Sequence, residues 1–99
     1  MGKLVRDKIP EIIEVAGGRP DFRVVAGSEL QSALKAKLVE EAEEAHAASD
    51  GALLEELADV HEVILGVLAY MGWSEEDLRR VANEKRAARG GFEEGYYLE

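Results

Sequence analysis

Two acidic clusters flank one turn signal, and this arrangement limits what the chain can become more than any other feature. Glu40-Glu41-Ala42-Glu43-Glu44 precedes Ser49-Asp50-Gly51, and Glu55-Glu56-Leu57-Ala58-Asp59 follows it. Both clusters lie in strongly helical sequence, where residues three and four apart share a face. Glu41 and Glu44 are therefore neighbours on one helix, and Glu56 and Asp59 on the next. A short turn at Ser49-Asp50-Gly51 folds the two helices back as an antiparallel pair. The two carboxylate pairs then face each other.

At about 100° per residue, Leu30, Leu34, Leu38 and Ala45 form one apolar stripe on the first of these helices. Glu41 points into the middle of that stripe, with Glu44 and Lys37 at its edge. On the second helix, Glu56 flanks a stripe of Leu53, Leu57, Val60, Ile64 and Met71, and Asp59 lies further round. A carboxylate on a core-facing stripe is costly unless it is paired or bound to metal. Like charges three or four apart each cost roughly 0.2–0.5 kcal/mol more. From Leu38 to Leu78 there is no Lys or Arg, against twelve acids. A hard divalent cation is the simplest neutraliser, because carboxylate oxygens suit Mg²⁺ or Mn²⁺. Glu43 and Glu62 read instead as solvated charges.

The chain has 99 residues, which bounds it to one domain, 1–99. So short a chain has a limited core, and a wide apolar helix face needs a partner. Leu53, Leu54, Leu57, Val60, Ile64, Leu65, Val67 and Leu68 cover well over a third of one helix, so burial on more than one side implies a second subunit. Ala52 and Gly66 are small enough to permit close helix approach. A formal net charge of −9 argues against nucleic-acid polymers and against an anionic membrane surface. With no cysteine there is no disulfide framework, thiolate metal site or thiol nucleophile. No stretch has the length and apolarity of a membrane span, and the charged N-terminus is no signal peptide. A cytoplasmic protein is the expectation.

Along the chain, Asp7 is an N-cap candidate for a short helix bearing Ile9, Ile12 and Ile13, with Pro10 tolerated in its first turn and Gly17-Gly18 ending it. Arg19–Gly27 reads as a connector with at most a short strand around Phe22, Val24 and Val25. Ser28-Glu29-Leu30-Gln31 has the spacing of a capping box, opening a helix to about Ala48. The next helix opens at Gly51 or Ala52 and runs to about Met71. Gly72-Trp73 breaks it, and Ser74-Glu75-Glu76-Asp77 caps a third long helix to about Ala88, stopped by Gly90-Gly91. The fold class expected is all-α, a bundle of three to four helices completed by homo-oligomerisation.

Eight of the basic residues, Lys3, Arg6, Lys8, Arg79, Arg80, Lys85, Arg86 and Arg89, sit near the two ends. Either the ends fold over the acidic centre as ion pairs, or they handle an anion while the centre holds a metal. Lys85 and Arg89, four apart on one face, suit phosphate oxygens, the Arg as a fork and the Lys as a point charge. Asn83 reads as a surface residue. Trp73, Phe92, Tyr96 and Tyr97 read as core or interface aromatics, and His46 and His61 as structural or exposed. No phosphate loop, dinucleotide-binding pattern or nucleophilic Ser constellation is present.

The pattern Glu40-Glu41-x-x-Glu44, a turn, then Glu56-x-x-Asp59 resembles the signature of the all-α MazG-like nucleoside triphosphate pyrophosphohydrolases, a superfamily that includes phosphoribosyl-ATP pyrophosphatase. Lys3-Leu4-Val5-Arg6-Asp7-Lys8-Ile9-Pro10 and Lys85-x-x-x-Arg89-Gly90-Gly91-Phe92 look like a compact house-cleaning branch of it. The resemblance implies a helical bundle, usually a dimer, and Mg²⁺-dependent cleavage between the α- and β-phosphates of a nucleotide. By motif position it makes Glu41, Glu44, Glu56 and Asp59 metal ligands. Glu40, with Glu41, belongs to the catalytic pair, and would orient or deprotonate water. Lys85, Arg89, Arg6 and Lys8 would hold phosphates. Eleven residues, Ala45 to Glu55, separate the motif halves, at the short end of the family's range, leaving little room for a substrate lid. The alternatives are phosphoribosyl-ATP hydrolysis and a non-catalytic helical dimer that binds metal or nucleotide.

Overall fold

The computed structural model describes residues 2–99. Among them there are four helices and no strand: α1 Ile9–Val15, α2 Gly27–Ala47, α3 Asp50–Met71 and α4 Glu75–Arg89. The chain divides into two compact units, the first ending at Val67 and the second spanning Leu68–Glu99.

In the first unit, α2 and α3 are joined by Ala48 and Ser49 alone. The Ala48 N–H closes the end of α2 on the Ala45 carbonyl at 3.3 Å, and the Ala52 N–H bonds the Ser49 carbonyl at 3.0 Å. The turn therefore lies slightly earlier than Ser49-Asp50-Gly51, because Asp50 already belongs to α3. Leu34 on α2 meets Gly66 on α3: a Cβ built on Gly66 would lie 3.1 Å from Leu34 Cδ2. Seven residues along α2 bring Leu34 to Glu41, and seven back along α3 bring Gly66 to Asp59, so the antiparallel register that seats a leucine on a glycine also sets Glu41 against Asp59.

The face α3 uses differs from the expected stripe. Val63 is the buried apolar residue of α3 in this unit, while Val60 and Ile64 are half-buried and Leu53, Leu57 and Met71 are exposed. Because the apolar arc of α3 is wide, periodicity alone singles out no one face within it, and the hairpin register decides it. Across both units, three apolar side chains are buried among the described residues: Leu34, Val63 and Leu68.

Two capping expectations are corrected. Asp7 does not cap α1; Lys8 stands at its N-cap without a side-chain hydrogen bond, and Pro10 lies in the first turn. Ser28 is not the N-cap of α2 either. Gly27 adopts a left-handed φ of +59° and is already helical, so Ser28 falls inside the first turn and Ala26 is the N-cap. An Arg23–Glu29 ion pair ties the connector to the start of α2 instead. Gly17, at φ +93°, ends α1 as expected, its N–H bonding the Glu14 carbonyl. Residues 19–26 form no strand.

In the second unit, α4 begins with a complete capping box. The Asp77 N–H donates to Ser74 Oγ at 3.0 Å, and the Ser74 N–H donates to Asp77 Oδ2 at 2.8 Å. Gly90 terminates the helix at φ +82°. Trp73, Phe92, Tyr96 and Tyr97 are all exposed, so none of these aromatics is a core residue of the chain. No helix among the described residues is long and apolar enough to cross a membrane.

Candidate metal centre

The α2–α3 register brings Glu41, Glu56 and Asp59 together, with one carboxylate oxygen from each lying within 4.8 Å of the others. Glu41 is 7% exposed and is the one buried charged residue among those described. Its burial follows from the apolar stripe on which it sits. Glu56 and Asp59 are half-buried. Glu41 Oε2 and Glu56 Oε2 are both buried with no hydrogen-bond partner. An orphaned buried acceptor costs about 1–3 kcal/mol, and more when charged.

Glu44 stands beside this trio. Its carboxyl is held above the ordinary carboxylate range, first by a side-chain hydrogen bond with Glu41, then by the Glu41 charge, partial burial and the charges of Glu56 and Glu40. Glu44 is exposed, and so is the outermost of the four expected ligands. Glu43, Glu62, His46 and His61 are exposed as well, which fits the solvated reading of the first two.

The acidic centre lacks cations within its own stretch of sequence, but it is served from outside that stretch, in line with the reading that the basic N-terminal end folds over it as ion pairs. Lys37, one residue outside the basic-free span, reaches Glu41 Oε1 at 3.0 Å and Glu40 Oε2 at 3.5 Å, with its side chain only 15% exposed. Burial works against its charge, but the hydrogen bond to Glu41 and the charges of Glu40 and Glu41 outweigh it and raise its pKa. Two more cations come from the N-terminal segment. Arg6 Nη2 lies 2.6 Å from Asp59 Oδ1, and Lys3 Nζ lies 3.4 Å from Glu40 Oε1. Partial burial pushes the Glu40 carboxyl up, yet Lys37 and Lys3 together hold it below the ordinary range.

Of the residues expected to hold phosphates, Arg6 therefore sits on the acidic cluster itself. Lys8 is exposed and makes no ion pair among the described residues. Lys85 and Arg89 belong to the second unit, on α4, where both are exposed and neither is ion-paired among the described residues. A shallow depression along α4 is lined by Glu76, Arg79, Arg80, Asn83, Glu84 and Ala87, and includes neither of them. The Lys37 contact and the particular partner of Lys3 were not read from the sequence. The signal for Lys37 was its position four residues before Glu41, an ordinary i,i+4 ion-pair spacing. Lys3 offered no local signal, because its partner is 37 residues away.

The donor set fits a hard divalent cation. It is all oxygen, two of its atoms are orphaned and buried, and Glu41 stands nine-tenths buried at its centre.

No family model matches the chain, and no solved structure matches it. A protein from Mycolicibacterium smegmatis described as uncharacterized is 48% identical to it over 48 residues. That stretch is 48% of this chain and 49% of the relative, so the match spans about half the length of each.

Proposed function

We propose that this chain is a Mg²⁺- or Mn²⁺-dependent nucleotide pyrophosphohydrolase that hydrolyses the α–β phosphoanhydride of a noncanonical nucleoside triphosphate to monophosphate and pyrophosphate. The observation that carries the reading is Glu41, a nine-tenths buried carboxylate with an unpartnered oxygen, facing Glu56 and Asp59 across the α2–α3 hairpin. Its agreement with the acidic signature supplies the reaction class.

A divalent ion, when bound, polarises phosphate oxygens and lowers the pKa of water. Glu41, Glu56 and Asp59 would hold it, with Glu44 closing in from the edge. Glu40, kept ionised by Lys37 and Lys3, accepts a hydrogen bond from the attacking water and orients it. Lys37, fixed against Glu40 and Glu41, holds both carboxylates in place. In the first unit, Arg6 and Lys8 are the cations assigned to substrate phosphates; the assignment of Lys85 and Arg89 rests on the resemblance alone. The chain's part is position and countercharge, which is most of what phosphate chemistry asks of a protein.

A second copy of the chain completes the bundle in this reading. Leu53, Leu54 and Leu57 stand 37%, 79% and 49% exposed on α3, and a core with so few buried side chains gains most from covering that face. Sedimentation of wild type as a dimer, and of Leu54→Glu as a monomer, is the expected result.

The assay is pyrophosphate release from a panel of canonical and modified nucleoside triphosphates and phosphoribosyl-ATP, with Mg²⁺ or with chelator. Mg²⁺-dependent release that is lost in Glu41→Ala and Asp59→Ala supports the proposal. Release from phosphoribosyl-ATP alone would move the assignment to that reaction. No release from any substrate, with nucleotide or metal still bound, would leave a non-catalytic binding module.

A further inference from the structure

The cations on the acidic cluster are of two kinds. Lys37 projects from α2, the helix that carries Glu41, and its side chain is largely buried. Arg6 comes from the irregular segment before α1, and its side chain is 54% exposed. The backbone holds Arg6 where that segment enters the helix, because the Ile9 N–H bonds the Arg6 carbonyl at 3.0 Å. Lys3, further out on the same segment, reaches Glu40 with a side chain 64% exposed. Among the described residues, two solvent-accessible ion pairs hold the segment across the cluster as a strap.

One fastening lies on a candidate ligand. Arg6 Nη2 takes Asp59 Oδ1 at 2.6 Å, while the buried oxygens of Glu41 and Glu56 stay unpartnered. The strap therefore neutralises the accessible side of the cluster and leaves its buried side unsatisfied. A divalent ion drawn to the orphaned oxygens draws on Asp59 for its third carboxylate, and a guanidinium held 2.6 Å from Asp59 Oδ1 sets a positive charge against that ion and shares the Asp59 charge with it.

Resting on the metal reading above, we propose that the N-terminal strap and the divalent ion compete for Asp59, so that metal entry releases Arg6. The freed guanidinium is then an unpaired planar fork at the mouth of a metal centre, the chemistry that grips a phosphate oxygen pair. Arg6 is in this account counter-ion to the empty site and ligand contact in the loaded one, and the strap opens only when metal is present.

The test measures Mn²⁺ binding to the full chain by calorimetry at low ionic strength, without nucleotide, for wild type, Arg6→Ala and Arg19→Ala. Arg19 is exposed and makes no ion pair among the described residues, so its variant controls for the loss of one positive charge. Arg6→Ala is expected to bind Mn²⁺ about two- to fivefold tighter than Arg19→Ala, the range an accessible ion pair commands. Trypsin gives a second readout: saturating Mn²⁺ should speed cleavage after Arg6 severalfold. Equal affinities, or a cleavage rate that Mn²⁺ leaves unchanged, would overturn the exchange while the metal centre stands. No Mn²⁺ binding by any of the three proteins would overturn the centre and the strap together.

Discussion

Leu34 Cδ2 lies 3.1 Å from the point where a Cβ would stand on Gly66, and that contact sets the spacing of the α2–α3 hairpin. Relaxed carbon contacts run about 3.5–4.0 Å, so any side chain at Gly66 presses on Leu34. In Gly66→Ala a helix-propensity gain of about 1 kcal/mol opposes the crowding, and the net change in stability is expected below about 1 kcal/mol. Gly66→Val cannot be absorbed this way and should destabilise by about 1–3 kcal/mol. Urea midpoints at constant slope check both. Since Glu41 and Asp59 depend on the same register, Gly66→Val should also weaken Mn²⁺ binding.

A ligand that binds only the folded state stabilises it in proportion to its saturation. At a hundredfold excess over Kd, Mn²⁺ should add about 2.7 kcal/mol to the unfolding free energy of wild type. Glu41→Gln keeps an oxygen for Lys37 but loses the charge, and should fold while showing none of this gain. Thermal melts with and without Mn²⁺ provide the comparison.

Glu44 gives a pH signature in chelated protein. Its folded-state pKa is raised, first by the hydrogen bond with Glu41 and then by the Glu41 charge. A raised carboxyl contributes stability that is complete below the unfolded value and lost as pH rises through the folded value. Glu44→Gln mimics the protonated form at every pH. Its melting temperature should match wild type below the ordinary carboxyl value of 4.5 and exceed it increasingly toward neutral pH.

The α4 cap titrates in the opposite sense. The Asp77 carboxyl is held below its ordinary value, first by the Ser74 backbone N–H and then by the Ser74 side chain. Its contribution is therefore present above the unfolded value of 3.8 and lost as pH falls through the still lower folded value. The stability gap between wild type and Asp77→Asn should narrow in acid. Ser74→Ala should cost roughly 1 kcal/mol at neutral pH. Circular dichroism across a urea series at several pH values checks each.

The hairpin and its central acid were legible because a 3.6-residue period leaves little choice. Glu41 falls on the line of Leu30, Leu34 and Leu38, and it is buried. Gly66 was readable as a point of close approach from its size alone. Val63 was not, since α3 is apolar on several sides and only its pairing with α2 selects one. The α2 start was misplaced because a Ser-x-x-Gln spacing marks a capping box only when the Ser backbone lies outside the helix, and Gly27 draws it in. That the basic ends fold over the acidic centre was one of two readings the charge distribution left open, but which residues pair was not legible. Lys3 and Arg6 meet partners 37 and 53 residues away, and charge pairs at that separation leave no periodic trace.

Lys37, Arg6 and Lys3 together bear on how this fold stands when no ion is bound. Zinc fingers unfold when stripped of their ion, because the free energy of binding it is the free energy that folds them. Here the chain supplies ammonium and guanidinium groups of its own, so chelation should leave an intact, silent fold. Under the proposed function, activity would then follow metal supply without risking the polypeptide, and dialysis of the chelated protein back into Mg²⁺ should restore it with no refolding step.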